Sequence, residues 1–137
     1  IFMDYIKWTD DLSVGVELFD NEHKELVRLV NDLNQLIFVG DKVSAMEKAL
    51  AGLIEYTKTH FADEEKYMVK YNYPDYKKHK DEHEKLTAKV LDFQKRLTEG
   101  KANFSIELIN FLRDWLIHHI QGSDMHYKAF FNGKGVK

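Results

Sequence analysis

The sequence predicts an all-α protein: an up-down-up-down antiparallel four-helix bundle with an N-terminal loop arm and a short C-terminal tail. Three observations carry that reading. Apolar residues recur every three or four positions in four separate stretches, the period of one buried helix face. The stretches are joined by connections of about four to six residues, short enough to make consecutive helices antiparallel neighbours. The 137 residues contain one proline, so little interrupts long helices.

The first helix is predicted from about Asp20 to Val39. Phe19, Leu26, Val30, Leu33 and Ile37 form its stripe, Asp20 or Asn21 caps its start, and Gly40 ends it. The second is predicted from about Ser44 to Lys70, with Ser44 and Glu47 at capping-box spacing. Met46, Leu50, Leu53, Thr57 and His60 continue its stripe, and Gly52 inside it implies close packing. Pro74 breaks the pattern, because the residue before a proline disfavours helix. The third helix is predicted from about Asp75 to Thr98, carrying His79, His83, Leu86, Val90, Phe93 and Leu97 on one face and stopping at Gly100. The fourth is predicted from about Ser105 to Ile120, with Leu108, Leu112, Trp115 and His119 aligned.

Length and composition set the outer limits. A chain of 137 residues predicts a single domain, residues 1–137, and 44% hydrophobic residues suffice for one core. A net charge of -3 lacks the basic surplus of a nucleic-acid binder. The absence of cysteine removes disulfides, thiolate metal sites and cysteine nucleophiles. The longest apolar run is Leu36 to Val39, whereas a membrane-spanning helix needs about 20 residues. Ile1 to Asp4 show no signal peptide, so a cytoplasmic location is expected. The first residue is not methionine, which leaves a domain excised from a longer receptor as an open reading.

Seven histidines need an explanation. His23 lies one turn before Leu26 on the apolar side of the first helix. His60 and Glu64 are spaced i, i+4, as are His79 and His83, so each pair shares a face. His119 ends the fourth stripe, and Asp124 follows five residues later, with Gly122 between them to let the backbone leave the helix. In an up-down bundle the start of the first helix, the end of the second, the start of the third and the end of the fourth lie at one end. His23, His60, Glu64, His79, His83, His119 and Asp124 therefore converge on one core layer. His118, one residue from His119, points about 100° away, and His126 falls on the tail; both are predicted outside the layer. Glu65 is predicted to be exposed or to support the layer, and Tyr67 to approach it. Tyr71, Tyr73 and Tyr76 read as packing.

A core layer of imidazoles and carboxylates needs a partner for its buried charge, and a metal supplies one. Nitrogen and oxygen donors without thiolate suit iron, manganese or zinc. If two ions are held and both carboxylates bridge, five nitrogens and four carboxylate oxygens make nine bonds. A bridging oxo or hydroxo adds two more, and two octahedral ions then keep one open position. That arithmetic describes a binuclear centre able to bind one small ligand.

From Trp8 to about Tyr127 the sequence resembles the bacterial hemerythrins. The residues that carry the likeness are Trp8, Val14-Gly15, Asp20-Asn21-Glu22-His23-Lys24, His60-Phe61-Ala62-Asp63-Glu64-Glu65, Tyr73-Pro74, His79-Lys80-Asp81-Glu82-His83 and Trp115 to Ile120 through Asp124. The up-down-up-down bundle is the topology already associated with that family. The resemblance implies two non-haem iron ions with a bridging oxo or hydroxo, and reversible O2 binding for storage, delivery or sensing. It implies that His79, His83 and His119 hold one iron and His23 and His60 the other, with Glu64 and Asp124 bridging. Leu26, Trp115, Leu116 and Ile120 match the positions of an apolar ligand pocket. NO or small anions such as azide are further candidates for the open position. A di-iron peroxidase or oxidase is the alternative, and an inward His118 or His126 would favour it.

Overall fold

The computed structural model describes residues 5–99 and 104–137. Four long helices, α1 (Glu17–Phe38), α2 (Val43–Lys70), α3 (Tyr76–Thr98) and α4 (Phe104–His118), form the bundle. α1 and α3 each pack on α2 and α4, so consecutive helices follow one another round a square. Each helix turns its predicted stripe inward, with Ile37, Thr57 and Trp115 half-buried and the others buried. Leu26, Val30 and Leu33 of α1 meet Leu50 and Leu53 of α2, Leu86, Val90 and Phe93 of α3, and Leu108, Leu112 and Leu116 of α4 in one core. Burying such a side chain contributes about 1.5–3 kcal/mol, which makes this core the main stabilising element.

The helix starts differ from the capping expectation. α1 begins at Glu17 with Val16 at the N-cap, and no side chain caps it. Asp20 sits inside the first turn and reaches back, accepting hydrogen bonds from the Val14 amide at 2.8 Å and Ser13 Oγ at 2.6 Å. It fastens the preceding arm instead of capping the helix. Ser44 also lies inside its helix, because Lys42 is the extended N-cap residue and makes no side-chain cap bond. An N-cap hydroxyl needs extended backbone, which Ser44 lacks. Gly40 does follow α1 with a positive φ of 66°, as a C-terminal glycine should. The stop predicted at Gly100 lies outside the described residues.

Gly52 is not a packing device. It is exposed on α2, and a Cβ there would meet nothing within 4 Å. Gly52→Ala is therefore expected to stabilise the chain by about 0.5–1 kcal/mol, since alanine loses less backbone entropy on entering a helix. Thermal denaturation should show a midpoint higher by roughly 2–6 °C. An unchanged or lower midpoint would mean that the position is crowded.

The arm and tail are both packed. Ile6, Leu12, Val14 and Val16 of the arm are buried, and Asn31 clamps Ile6 through both its amide and its carbonyl. After α4 the chain makes a π-helical turn, His119–Ser123, a 3-10 turn, Asp124–Tyr127, and a short helix α5, Lys128–Gly133. Tyr127 and Phe131 from this segment are fully buried. Gly122 does not let the backbone leave the helix: its φ is not positive and a Cβ would meet nothing within 4 Å. The i→i+5 winding brings Asp124 over His119 instead, and the Asp124 amide donates to the His119 carbonyl. Five residues of α-helix would have turned Asp124 about 140° away.

Candidate metal centre

The bundle brings all seven predicted residues together. Glu64, His79, His83, His119 and Asp124 form one buried group able to hold a metal ion, and His23, His60, Glu64 and Asp124 form a second. The two carboxylates belong to both. Glu64 Oε2 faces His23 Nε2 at 3.4 Å and His60 Nε2 at 3.2 Å, while Oε1 faces His79 Nε2 at 3.5 Å and His83 Nε2 at 3.2 Å. Asp124 Oδ2 faces His23 at 3.1 Å, and Oδ1 faces His79 at 2.8 Å and His119 at 3.0 Å. Each carboxylate thus turns one oxygen to each histidine group.

These contacts are not hydrogen bonds. All five Nε2 atoms, Glu64 Oε1 and both Asp124 oxygens are buried with no hydrogen-bond partner. They lie close but misaligned, because they converge on shared points rather than on one another. Buried donors left in that state are costly unless a cation completes them. The donor set passes the chemical test for iron, which imidazole and carboxylate suit.

Electrostatics agree with the geometry. Burial alone would lower His60, but Glu64 and Glu22 outweigh it and hold its pKa up at about 10. Burial is likewise overcome at His119 by Asp124 and Glu82, raising it to about 10, and at His79 by Asp124 and Glu64, raising it to about 9. Glu64 and Asp124 are held well below the ordinary carboxylate range, since the surrounding imidazoles overcome both burial and, at Asp124, the charge of Glu64. The layer is a site of fixed negative charge with positive charge drawn to it.

A family model described as "Hemerythrin HHE cation binding domain" matches residues 14–131. A bacteriohemerythrin of Methylococcus capsulatus is 36% identical over 126 residues, covering 91% of this chain and 95% of that protein. A hemerythrin-like protein of Naegleria gruberi is 33% identical, covering 89% and 90% respectively. The chain belongs to the hemerythrin family. A solved structure of wild-type hemerythrin superposes with a TM-score of 0.86 at 35% identity, covering 91% of this chain and 96% of that one. O2 binding at a non-haem iron site is what hemerythrins do, and the buried histidine and carboxylate cluster is where this hemerythrin offers it.

Four residues support this hemerythrin site from outside the ligand set; of these only Glu65 is legible in the sequence in that role, as one of its two predicted places. Glu22 Oε1 lies 2.9 Å from His60 Nδ1, Glu65 Oε2 lies 2.9 Å from His83 Nδ1, and Glu82 Oε2 lies 3.3 Å from His119 Nδ1. Each contact keeps the ring proton on Nδ1 and leaves Nε2 free to ligate. Glu22 precedes His23, Glu65 follows Glu64, and Glu82 precedes His83. On successive antiparallel helices, steps of -1, +1 and -1 all turn to the same flank. Each carboxylate therefore meets the next helix in chain order. Tyr127 is the fourth, donating from its hydroxyl to Glu64 Oε2 at 2.6 Å. Tyr67 instead packs edge-on against Phe19, with ring centroids 5.4 Å apart.

An apolar cavity adjoins the layer, about 20 Å³ for the centre of a water-sized guest. Leu26, Leu86 and Leu116 line it, each one turn from a layer histidine and on the same side. Trp115 also lines it, stacked on the His119 ring at 4.9 Å. Thr57 and Thr87 reach it too, but their hydroxyls donate to the carbonyls of Leu53 and His83. Ile120, predicted as a fourth pocket residue, is buried but does not line the cavity. It follows His119 in the chain, whereas the α4 residues of the cavity precede His119. His118 and His126 are both exposed. Among the described residues no helix is long and apolar enough to cross a membrane.

Proposed function

We propose that this chain, as a single domain of residues 1–137 in the cytoplasm, binds O2 reversibly at a di-iron centre and serves its storage, delivery or sensing. His79, His83 and His119 would hold one iron, His23 and His60 would hold the other, and Glu64 and Asp124 would bridge them together with an oxo or hydroxo group. The observation that supports this reading best is the orientation of the two carboxylates, each with one oxygen toward each histidine group. When bound, the iron pair supplies the two electrons that O2 takes on binding and returns on leaving.

The protein's own part is positioning and exclusion. Three carboxylates fix the imidazoles of His60, His83 and His119, and Tyr127 fixes Glu64. The group with two histidines would leave the open position for the ligand. The leucine-lined cavity gives O2 an apolar chamber and keeps water and anions dilute near the centre. The exposed side chains of His118 and His126 do not line it, so neither delivers a proton there, which favours carriage over peroxidase or oxidase chemistry. NO and azide are expected to compete for the same position.

Repeated cycles of O2 and argon over the reduced, iron-loaded protein test this reading. An oxygenated absorption spectrum should form and disappear in each cycle. A spectrum that never forms, or one that decays at once while peroxide is consumed, would replace carriage with an enzymatic reading.

A further inference from the structure

The proposed di-iron centre has no direct contact with solvent. Its seven ligands are between 0% and 6% exposed, so an ion must cross the protein surface to reach them. Among the described residues, a ligand histidine is touched from outside by openings on three sides. A groove between α2 and α3 reaches His83 past Lys58, Phe61 and Leu91. A groove between α3 and α4 reaches His119 past Lys85, Lys89, Phe111 and Trp115. Both expose mainly apolar surface, although carboxylates also line them, Glu65 and Glu84 in the first and Glu82 and Asp114 in the second, so a hydrated cation meets few donors in sequence.

The third opening differs. It is a funnel of about 40 Å³ where the α2–α3 connection meets α3 and the turns after α4. At its mouth stand exposed Asp75, His126 and Lys78; half-buried Glu82 and Ser123 follow; buried His79 forms the floor. His79 Nε2 has no hydrogen-bond partner and lies 2.8 Å from Asp124 Oδ1. The lining is thus a series of oxygen and nitrogen donors of increasing burial that ends on a ligand. Such donors replace the water shell of a divalent cation stepwise. Tyr73 also lines it, and burial first, then the charges of Asp75, Asp124 and Glu82, push its hydroxyl up to about 12.

We propose that this funnel is the port through which ferrous iron reaches and leaves the buried layer, with Asp75 and His126 as its outer, transient ligands. The inference rests on the di-iron reading. It assigns Asp75 and His126 to the transit of the ion, not to its final coordination. Lys78 is the one lysine in the lining, and its charge at the mouth opposes the attraction of cations.

The test uses the loaded, reduced protein under anaerobic conditions. Iron release into excess ferrous chelator is timed by absorbance, and reuptake is timed after ferrous iron is added back. In Asp75→Asn/His126→Gln both rates should fall about tenfold, the lower end of the range for electrostatic guidance into a cleft. Final iron occupancy should match that of the unaltered chain. Rising salt should slow uptake in the unaltered chain and much less in the double variant. Lys78→Gln should accelerate uptake. Release that becomes faster would mean a weakened site rather than a blocked route, and would overturn the proposal. Equal rates in the two proteins would overturn the port alone. An unaltered chain that holds no iron would overturn the di-iron reading and the port together.

Discussion

Glu64→Ala is expected to empty the metal centre. Glu64 is fully buried, faces four of the five layer histidines, and accepts the Tyr127 hydroxyl. Its removal takes one ligand from each ion and leaves Asp124 alone to balance the imidazoles. The Tyr127 hydroxyl would also be orphaned in the core, at about 1–3 kcal/mol. Elemental analysis should find iron near background, and the melting point should fall. Glu65→Gln makes a useful contrast, because Glu65 touches only the outer nitrogen of His83. It should weaken iron binding by about 10–100-fold yet still load when iron is abundant. Full iron content with an unchanged spectrum in Glu64→Ala would contradict the bridging role.

Removal of the metal should have the second large effect, and the effect should grow with pH. The layer joins all four bundle helices and the turn that follows them, so metal binding is also folding energy. With metal 1,000-fold above its dissociation constant the loaded protein gains about 4 kcal/mol, or roughly 10–20 °C in melting point. In the metal-free chain, His60 and His119 titrate near 10 and His79 near 9, above the ordinary value of 6.5. Their contribution is complete below about 6.5 and is lost as pH rises through 9 to 10. Glu64 and Asp124, depressed below their ordinary 4.5 and 3.8, contribute above those values and lose the contribution as pH falls through their folded pKa values. Bound metal displaces the imidazole protons, so protons compete with it at low pH. The melting-point difference between loaded and metal-free protein should therefore widen from pH 6 to pH 9. A difference that is flat or shrinks over that range would mean that the histidines are neutral without metal.

The four inward stripes were legible because a period of three to four residues is a direct imprint of burial. Convergence of His23, His60, Glu64, His79, His83, His119 and Asp124 needed only those stripes and the short connections. The helix starts were less legible. Asp20 looks like a cap, but its carboxylate instead serves Val14 and Ser13 in the arm, a contact outside the helix. Gly52 shows that a glycine inside a helix need not mark a close approach. The π turn at His119–Ser123 was invisible, since no residue type demands i→i+5 winding. The spacing of five between His119 and Asp124 was its one trace, and it was read as an exit at Gly122. Tyr127 and Phe131 were missed because two buried aromatics four residues apart are too short a pattern to declare a packed element.

Glu22, Glu65 and Glu82 bear on a question that the ligands themselves leave open. Four antiparallel helices can be arranged about a common axis in either of two mirror-related senses, clockwise or anticlockwise in chain order. The inward histidines, Glu64 and Asp124 would face the axis in both. The three outer carboxylates would not, because each sits on one fixed flank of its helix and finds a histidine only if the next helix stands on that side. In the opposite arrangement they would lose those imidazoles, and the rings would lose their anchors. The chirality of the bundle is thus encoded beside the ligands, and transplanting the ligand residues alone onto another bundle would leave it unspecified.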